Sequence, residues 1–307
     1  MFVDIFSHKM YYELYGAEHR NTLLYLHGGP GASCLDFVNQ GKALGEKVRV
    51  ISFDQLGVLR SDAIGEDEDY SMEYQVEMLE EMRKSFGIEK WSILGHSYGG
   101  MLAVLYTDMY PDSIQRIILE CPSLWFEDSA KSVAEYVSGH IESLAHQEAR
   151  ELCEKIKAPD YHGGQEVPID LMTLLGYVED PKLRNYLHGI SAEEYWRSMD
   201  TSGITDEMWA KGEGHLKKLL EAGPAQGDSS GKRVTMLDNF LPMLLKTNLP
   251  ILLINGKYDP ACTKYQTEYL TKNVRNLTRV VFENSGHFPR IEEPEKYTST
   301  VFSFLEA

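Results

Sequence analysis

The chain has 307 residues, 43% of them hydrophobic and 25% charged, which is enough to bury a sizeable core and ordinary for a globular protein. Forty-seven acids against thirty Lys plus Arg give a formal charge of −17, which disfavours a nucleic-acid partner and tolerates a cationic substrate. No apolar run is long enough to span a bilayer. Met1–Lys9 lacks the basic-then-apolar layout of a signal peptide, so a cytoplasmic protein without a membrane partner is expected. Cys34, Cys121, Cys153 and Cys262 are too scattered for a zinc cage or a redox pair and read as free thiols.

Two short β-like runs, Phe2–Phe6 and Met10–Tyr15, flank a polar Ser7-His8-Lys9 turn and predict a hairpin at a sheet edge. Thr22–Leu26 is continuously apolar, as a parallel strand covered on both faces would be, and His27-Gly28-Gly29-Pro30-Gly31 stops it. A helical stretch over Cys34–Leu44, a strand over Val48–Phe53, a helix over Tyr74–Phe86, a strand over Trp91–Leu94, a helix over Met101–Tyr110 and a strand over Ile114–Glu120 follow. The alternation breaks after Cys121-Pro122. From Ser123 to Phe240 there are amphipathic helical segments, Gly-rich turns and many acids, with no run resembling a buried strand. It resumes with a strand over Pro250–Asn255, a helix around Tyr265–Lys272, a strand over Thr278–Glu283 and a closing helix over Pro294–Leu305. The expected architecture is α/β: a mostly parallel sheet with helices on both faces, built from residues 1–122 and 243–307 and interrupted by a helical cap over 123–242.

Gly95-His96-Ser97-Tyr98-Gly99 matches G-x-S-x-G between a strand and a helix, the context that places a serine on a sharp turn at the sheet edge. A serine hydroxyl needs a base to take its proton, and that base needs an acid to hold its tautomer. Asp259 follows the strand ending at Asn255, and His287 follows the strand ending at Glu283, in the chain order serine, acid, histidine. Singly, such an Asp is usually a cap and such a His an ordinary residue; the joint placement makes Ser97, Asp259 and His287 the candidate triad. The His27–Gly31 bend lets a backbone N–H, that of Gly29, complete an oxyanion hole with the N–H of Tyr98. A phosphate loop is the rival reading, but neither G-x-G-x-x-G nor Gly-Lys-Ser/Thr follows.

On these residues, with Asp54-Gln55, Gly57 and Ser61, the chain resembles the proline iminopeptidase family of α/β-hydrolases. The resemblance implies the α/β-hydrolase fold, a helical cap over the site, no metal and no organic cofactor, and an activity on N-terminal residues of peptides, on esters, on lactones or on amides. Two departures stand out. Leu59 occupies the second glycine position of the family's Asp-Gln-x-Gly-x-Gly-x-Ser stretch, so this loop is expected to differ in conformation or lining. The acids that hold a substrate ammonium in similar peptidases, one in a Gly-Pro-Asn-Glu-Phe stretch and one directly after the triad aspartate, are replaced by Gly223-Pro224-Ala225-Gln226-Gly227 and by Pro260. Gln226 lacks the needed charge, and Glu193, Glu194, Glu213 or Asp228 could substitute. Gly28, Gln226, Tyr195 and Trp196 are the candidate substrate-contacting residues, with Trp209 nearby; the bland alternative for the aromatics is packing within the cap. The expected activity is acyl transfer through an acyl-enzyme on an ester or lactone of a small molecule. Prolyl peptides come second, and a non-catalytic ligand-binding role is the rival of another class.

Overall fold

The computed structural model describes residues 1–68, 70–139, 147–161, 167, 169–170, 173–174, 187–221 and 234–307. Its eight strands are β1 (Phe2–Ile5), β2 (His8–Tyr15), β3 (Thr22–Leu26), β4 (Arg49–Phe53), β5 (Trp91–His96), β6 (Ile114–Glu120), β7 (Ile251–Gly256) and β8 (Leu277–Phe282). They form one sheet in the order β1-β2-β4-β3-β5-β6-β7-β8. The pairings β1–β2 and β2–β4 are antiparallel and all the others parallel. The edge hairpin is present with a shorter turn than expected: Ile5 pairs with His8, so only Phe6 and Ser7 are left to turn, and His8 and Lys9 join the strand.

The apolar runs sort their side chains by the two-residue period of a strand. On β3, Leu24 and Leu26 enter one core cluster while Leu23 and Tyr25 enter the other; on β7, Ile251 and Leu253 part from Leu252 and Ile254 in the same way. Helices cover both faces. The first cluster takes side chains from α2 (Met72–Ser85) and α3 (Tyr98–Met109), the second from α1 (Val38–Leu44) and α10 (Pro294–Glu306). Cover on both faces is why β3, β5 and β7 read as unbroken hydrophobic stretches.

Between β6 and β7 the described elements are helical: α4 (Phe126–Ser138), α5 (Gln147–Lys157), α6 (Ala192–Arg197), α7 (Asp206–Glu221) and a 3-10 turn at Leu241–Lys246. Their apolar faces do not form a separate nucleus. Ala130, Val133, Val137, Cys153, Ile156, Leu219 and Phe240 belong to the same cluster as the α2 and α3 side chains. After β7 come α8 (Lys264–Asn273) and, following β8, a one-turn helix α9 (Pro289–Glu292) that the sequence reading did not anticipate. All four cysteines are buried free thiols, and no helix among the described residues is long and apolar enough to cross a membrane.

Candidate active site

The chain leaves β3 to build β4 on one side and β5 on the other. Loops leaving adjacent strands at such a reversal diverge and open a crevice at the carboxyl edge of the sheet. The Gly28–Gly31 loop follows β3 and Ser97 follows β5, so both candidate loops lie at this switch point. Ser97 has φ 52° and ψ −117°, a conformation costly for any residue with a Cβ. Tight backbone packing holds it there: a Cβ on Gly99 would lie 2.2 Å from the Leu26 carbonyl oxygen, the Ser97 N–H donates to Glu120 O at 3.1 Å, and the Gly100 N–H donates to Ser97 O at 2.9 Å. The strand runs on through His96, and the turn is Ser97 itself.

His287 Nδ1 lies 2.9 Å from Asp259 Oδ2. The second carboxylate oxygen of Asp259 accepts the Ala261 N–H at 2.8 Å, so the acid presents one fixed oxygen to the imidazole. Their two loops are pressed together: a Cβ on Gly256 would fall 1.9 Å from Gly286 O and 2.5 Å from Ser285 O. Ser97, His287, Gly28 and Gly29 line one cavity of about 280 Å3. Gly29 has φ +114°, open to glycine alone, and a Cβ on Gly28 would meet Ser97 Cβ at 3.1 Å. Tyr98 opens α3, so its N–H lies in the first turn, where no helical carbonyl can accept it, while its buried ring is anchored by a hydroxyl donated to Gln75 at 3.1 Å.

The remaining walls are Phe126, Val133, Leu216, Tyr195 and Phe288, with Ser123, Ser129, Ala261, Asp36 and His96 between them. Tyr195 lines the cavity, its ring 5.0 Å from that of Phe288. Trp196 does not. It packs edge to face with Trp209 at 6.3 Å, and the two are 49% and 40% exposed, so neither walls the cavity nor fills a core. The reason is rotational: one residue along the short helix α6 turns the side chain about 100° away from Tyr195. Gln226 and Asp228 fall outside the described residues, as does the side chain of Glu213. Glu193 pairs with Arg197 on the surface, and Glu194 closes the capping box of its own helix with Ser191.

Sequence reasoning missed the ion network beneath the site. Arg290, fully buried, bonds Asp36 and reaches Glu120 at 3.0 Å; Tyr25 donates to Asp36 at 3.0 Å and Tyr297 to Glu120 at 3.1 Å. Burial raises the Glu120 carboxyl above its ordinary range although Arg290 opposes the shift. The His96 ring lies 4.8 Å from that of His287, tilted by 53°, and burial, helped by the Arg290 charge, pushes its pKa well below the ordinary imidazole value. His96 is therefore neutral at physiological pH. Only the neighbourhood of Arg290 to His287 could have pointed to this network.

The Leu59 loop keeps a glycine-like backbone despite its side chain, with φ 34°. Arg60 binds Asp54 at 2.7 Å, and Ser61 donates to Asp54 O at 2.5 Å. The Leu59 side chain joins Leu35 and Val58 in a small cluster against Met199, Ile204 and Met208, while Lys211 donates to Leu59 O at 3.1 Å. The departure from the family pattern thus changes contact with the insert, and residues 54–61 contribute nothing to the cavity lining.

Among the described residues one group has metal-ligand spacing: Cys121, Asp259 and His287 offer ligand atoms within 4.8 Å of one another. The His287 nitrogen nearest the acid is already hydrogen-bonded to it, and burial followed by the Asp259 charge holds the Cys121 thiol well above its ordinary pKa. A thiolate ligand is disfavoured there.

The profile of the alpha/beta hydrolase fold family matches residues 21–294. The chain is similar to the proline iminopeptidase of Saccharolobus solfataricus, at 28% identity over 308 residues covering 98% of this chain and 90% of the relative. It is also similar to that of Heyndrickxia coagulans, at 27% over 318 residues covering 100% and 98%. A solved structure, a proline iminopeptidase-related protein of Thermus thermophilus, superposes with a TM-score of 0.71 at 20% identity, covering 100% of this chain and 96% of that one. With residues 21–294 matched, the chain belongs to the alpha/beta hydrolase fold family and is a serine hydrolase.

Proposed function

We propose that the chain is an aminopeptidase of the proline iminopeptidase kind, releasing a compact apolar N-terminal residue from short peptides through an acyl-enzyme on Ser97. The observation that carries the chemistry is the 2.9 Å contact between Asp259 and His287 in loops that meet the strained Ser97 turn at one cavity. With Nδ1–H donated to the acid, Nε2 carries the ring's lone pair and takes the Ser97 proton as Oγ attacks the carbonyl. The Gly29 and Tyr98 amides receive the oxyanion. His287 then protonates the leaving amine, and water, deprotonated by the same imidazole, releases the acyl group. Residues 123–242 act in this reading as a cap, supported by Tyr195 and Leu216 reaching the cavity.

Two observations favour a peptide substrate. The full-length relatives carry that name at 27–28% identity, and a lining of Phe126, Val133, Leu216 and Phe288 around about 280 Å3 suits a small apolar ring better than an extended acyl chain. One observation favours the second reading, a carboxylic ester or lactone. Asp36, the one acid among the described lining residues, is already held by Arg290 and Tyr25 and offers no unpaired charge to a substrate ammonium. Turnover of prolyl-arylamide is to be compared with that of short acyl esters and lactones, with Ser97→Ala as blank. Prolyl-arylamide turnover exceeding the others supports the aminopeptidase; ester turnover without it transfers the assignment to the second reading.

A further inference from the structure

The polar spot on the cavity wall formed by Ser123 and Ser129 has a fixed hydrogen-bond direction. Gln266, buried behind it, accepts the Leu124 and Trp125 N–H groups on Oε1 at 2.8 and 3.2 Å, so its Nε2 must be the end that faces Ser129 Oγ, at 3.0 Å. Ser129 Oγ also lies 2.7 Å from the Ala261 carbonyl oxygen, which can only accept. The single hydroxyl hydrogen of Ser129 is therefore committed to Ala261. Ser123 Oγ lies 2.7 Å from Ser129 Oγ, and with the Ser129 hydrogen spent, Ser123 must be the donor of that bond.

Ser123 is left with no hydrogen to give and two lone pairs to offer. It is nearly solvent-free and lines the same cavity as Ser97 and His287. A buried acceptor of fixed polarity rewards a ligand N–H and penalises a carbonyl or ether oxygen in the same place. We propose that Ser123 is a specificity-determining residue that accepts a hydrogen bond from a nitrogen donor on the acyl part of the substrate, the Ser129–Gln266 pair serving to fix its polarity. The inference deepens the aminopeptidase reading and rests on its placing of the substrate in this cavity.

Direct binding tests it with hydrolysis removed. Calorimetric titration at neutral pH compares L-prolinamide with cyclopentanecarboxamide, which replaces the ring nitrogen by carbon, on a Ser97→Ala parent and on that parent carrying Ser123→Ala or Ser129→Ala. The parent is expected to hold L-prolinamide about ten-fold more tightly, and added Ser123→Ala to bring the two ligands within about three-fold of each other. Ser129→Ala keeps the Ser123 hydroxyl but frees its hydrogen, so it also erodes the preference; a melting curve matching the parent excludes misfolding in either variant. Equal affinities in the parent, no detectable L-prolinamide binding, or a preference that survives Ser123→Ala overturns the proposal. Failure of the aminopeptidase reading shows differently, as ester turnover without prolyl-arylamide turnover.

Discussion

Glu292 Oε2 accepts the N–H of Gly286 at 2.6 Å, immediately before the histidine. Its Oε1 accepts the N–H groups of His188 and Gly189, also at 2.6 Å, so one carboxylate ties the His287 loop to the insert. Glu292→Gln retains the size but replaces one acceptor oxygen with a donor that opposes an N–H. An unfolding free energy lower by about 1 kcal/mol and kcat reduced roughly ten-fold through a loosened histidine are expected, as read by urea titration and steady-state kinetics. Unchanged kcat would show that the loop holds His287 without the clamp.

Gly256→Ala introduces a methyl where the Gly286 and Ser285 carbonyls leave no room. The obstruction is backbone, so the acid and histidine loops must part. A stability loss of about 1–3 kcal/mol accompanies a fall in kcat on the order of a hundred-fold. Stability lost with kcat retained would mean that the loops separate without disturbing the Asp259–His287 bond.

Position 59 reverses the usual order of small residues. Truncating Leu59 removes buried apolar contact with Leu35, Val58 and the insert, but glycine relieves the positive φ that alanine keeps. Leu59→Gly should be the more stable of the two by about 1 kcal/mol, and chemical denaturation of both variants decides it.

Buried imidazoles set the acid limit of the fold. Burial depresses His215 to about 3, while its ring is held by Leu56 O at 2.8 Å and the Tyr70 hydroxyl at 3.3 Å. His27 and His96 shift in the same direction for the same first cause. The unfolded chain binds protons at these sites near pH 6.5 while the folded one does not, so stability is full above that pH and falls as pH drops toward the folded values. Each such group contributes a slope of up to about 1.4 kcal/mol per pH unit. His215→Asn should flatten the stability curve between pH 6 and 4 by about one proton; an unaltered slope would place the acid sensitivity elsewhere.

The strands that carry the candidate site were legible because both faces of β3, β5 and β7 are covered, which turns each into a continuous apolar run that glycine-rich loops end abruptly. The candidates Ser97, Asp259 and His287 were chosen from those loop positions, since topology fixes where such loops emerge. The site's lining was harder. Tyr195 and Trp196 are adjacent and chemically alike, and only the rotation of α6 puts one into the cavity and the other into solvent. Ser123, Ser129 and Gln266 are ordinary polar residues in sequence, and their meaning lies in contacts across more than 130 positions of chain. Arg290 gives no sequence signal because a charge within a polar stretch normally faces water; its burial depends on two acids supplied by β6 and by the turn after β3.

The single core running from α2 and α3 into α4 and α5 makes the insert more than a removable attachment. A chain spliced from Pro122 directly to Met243 would bare a broad oily flank, and such molecules cling to one another instead of staying dispersed. The segment that lends Tyr195 and Leu216 to the cavity wall also keeps the remainder dispersed.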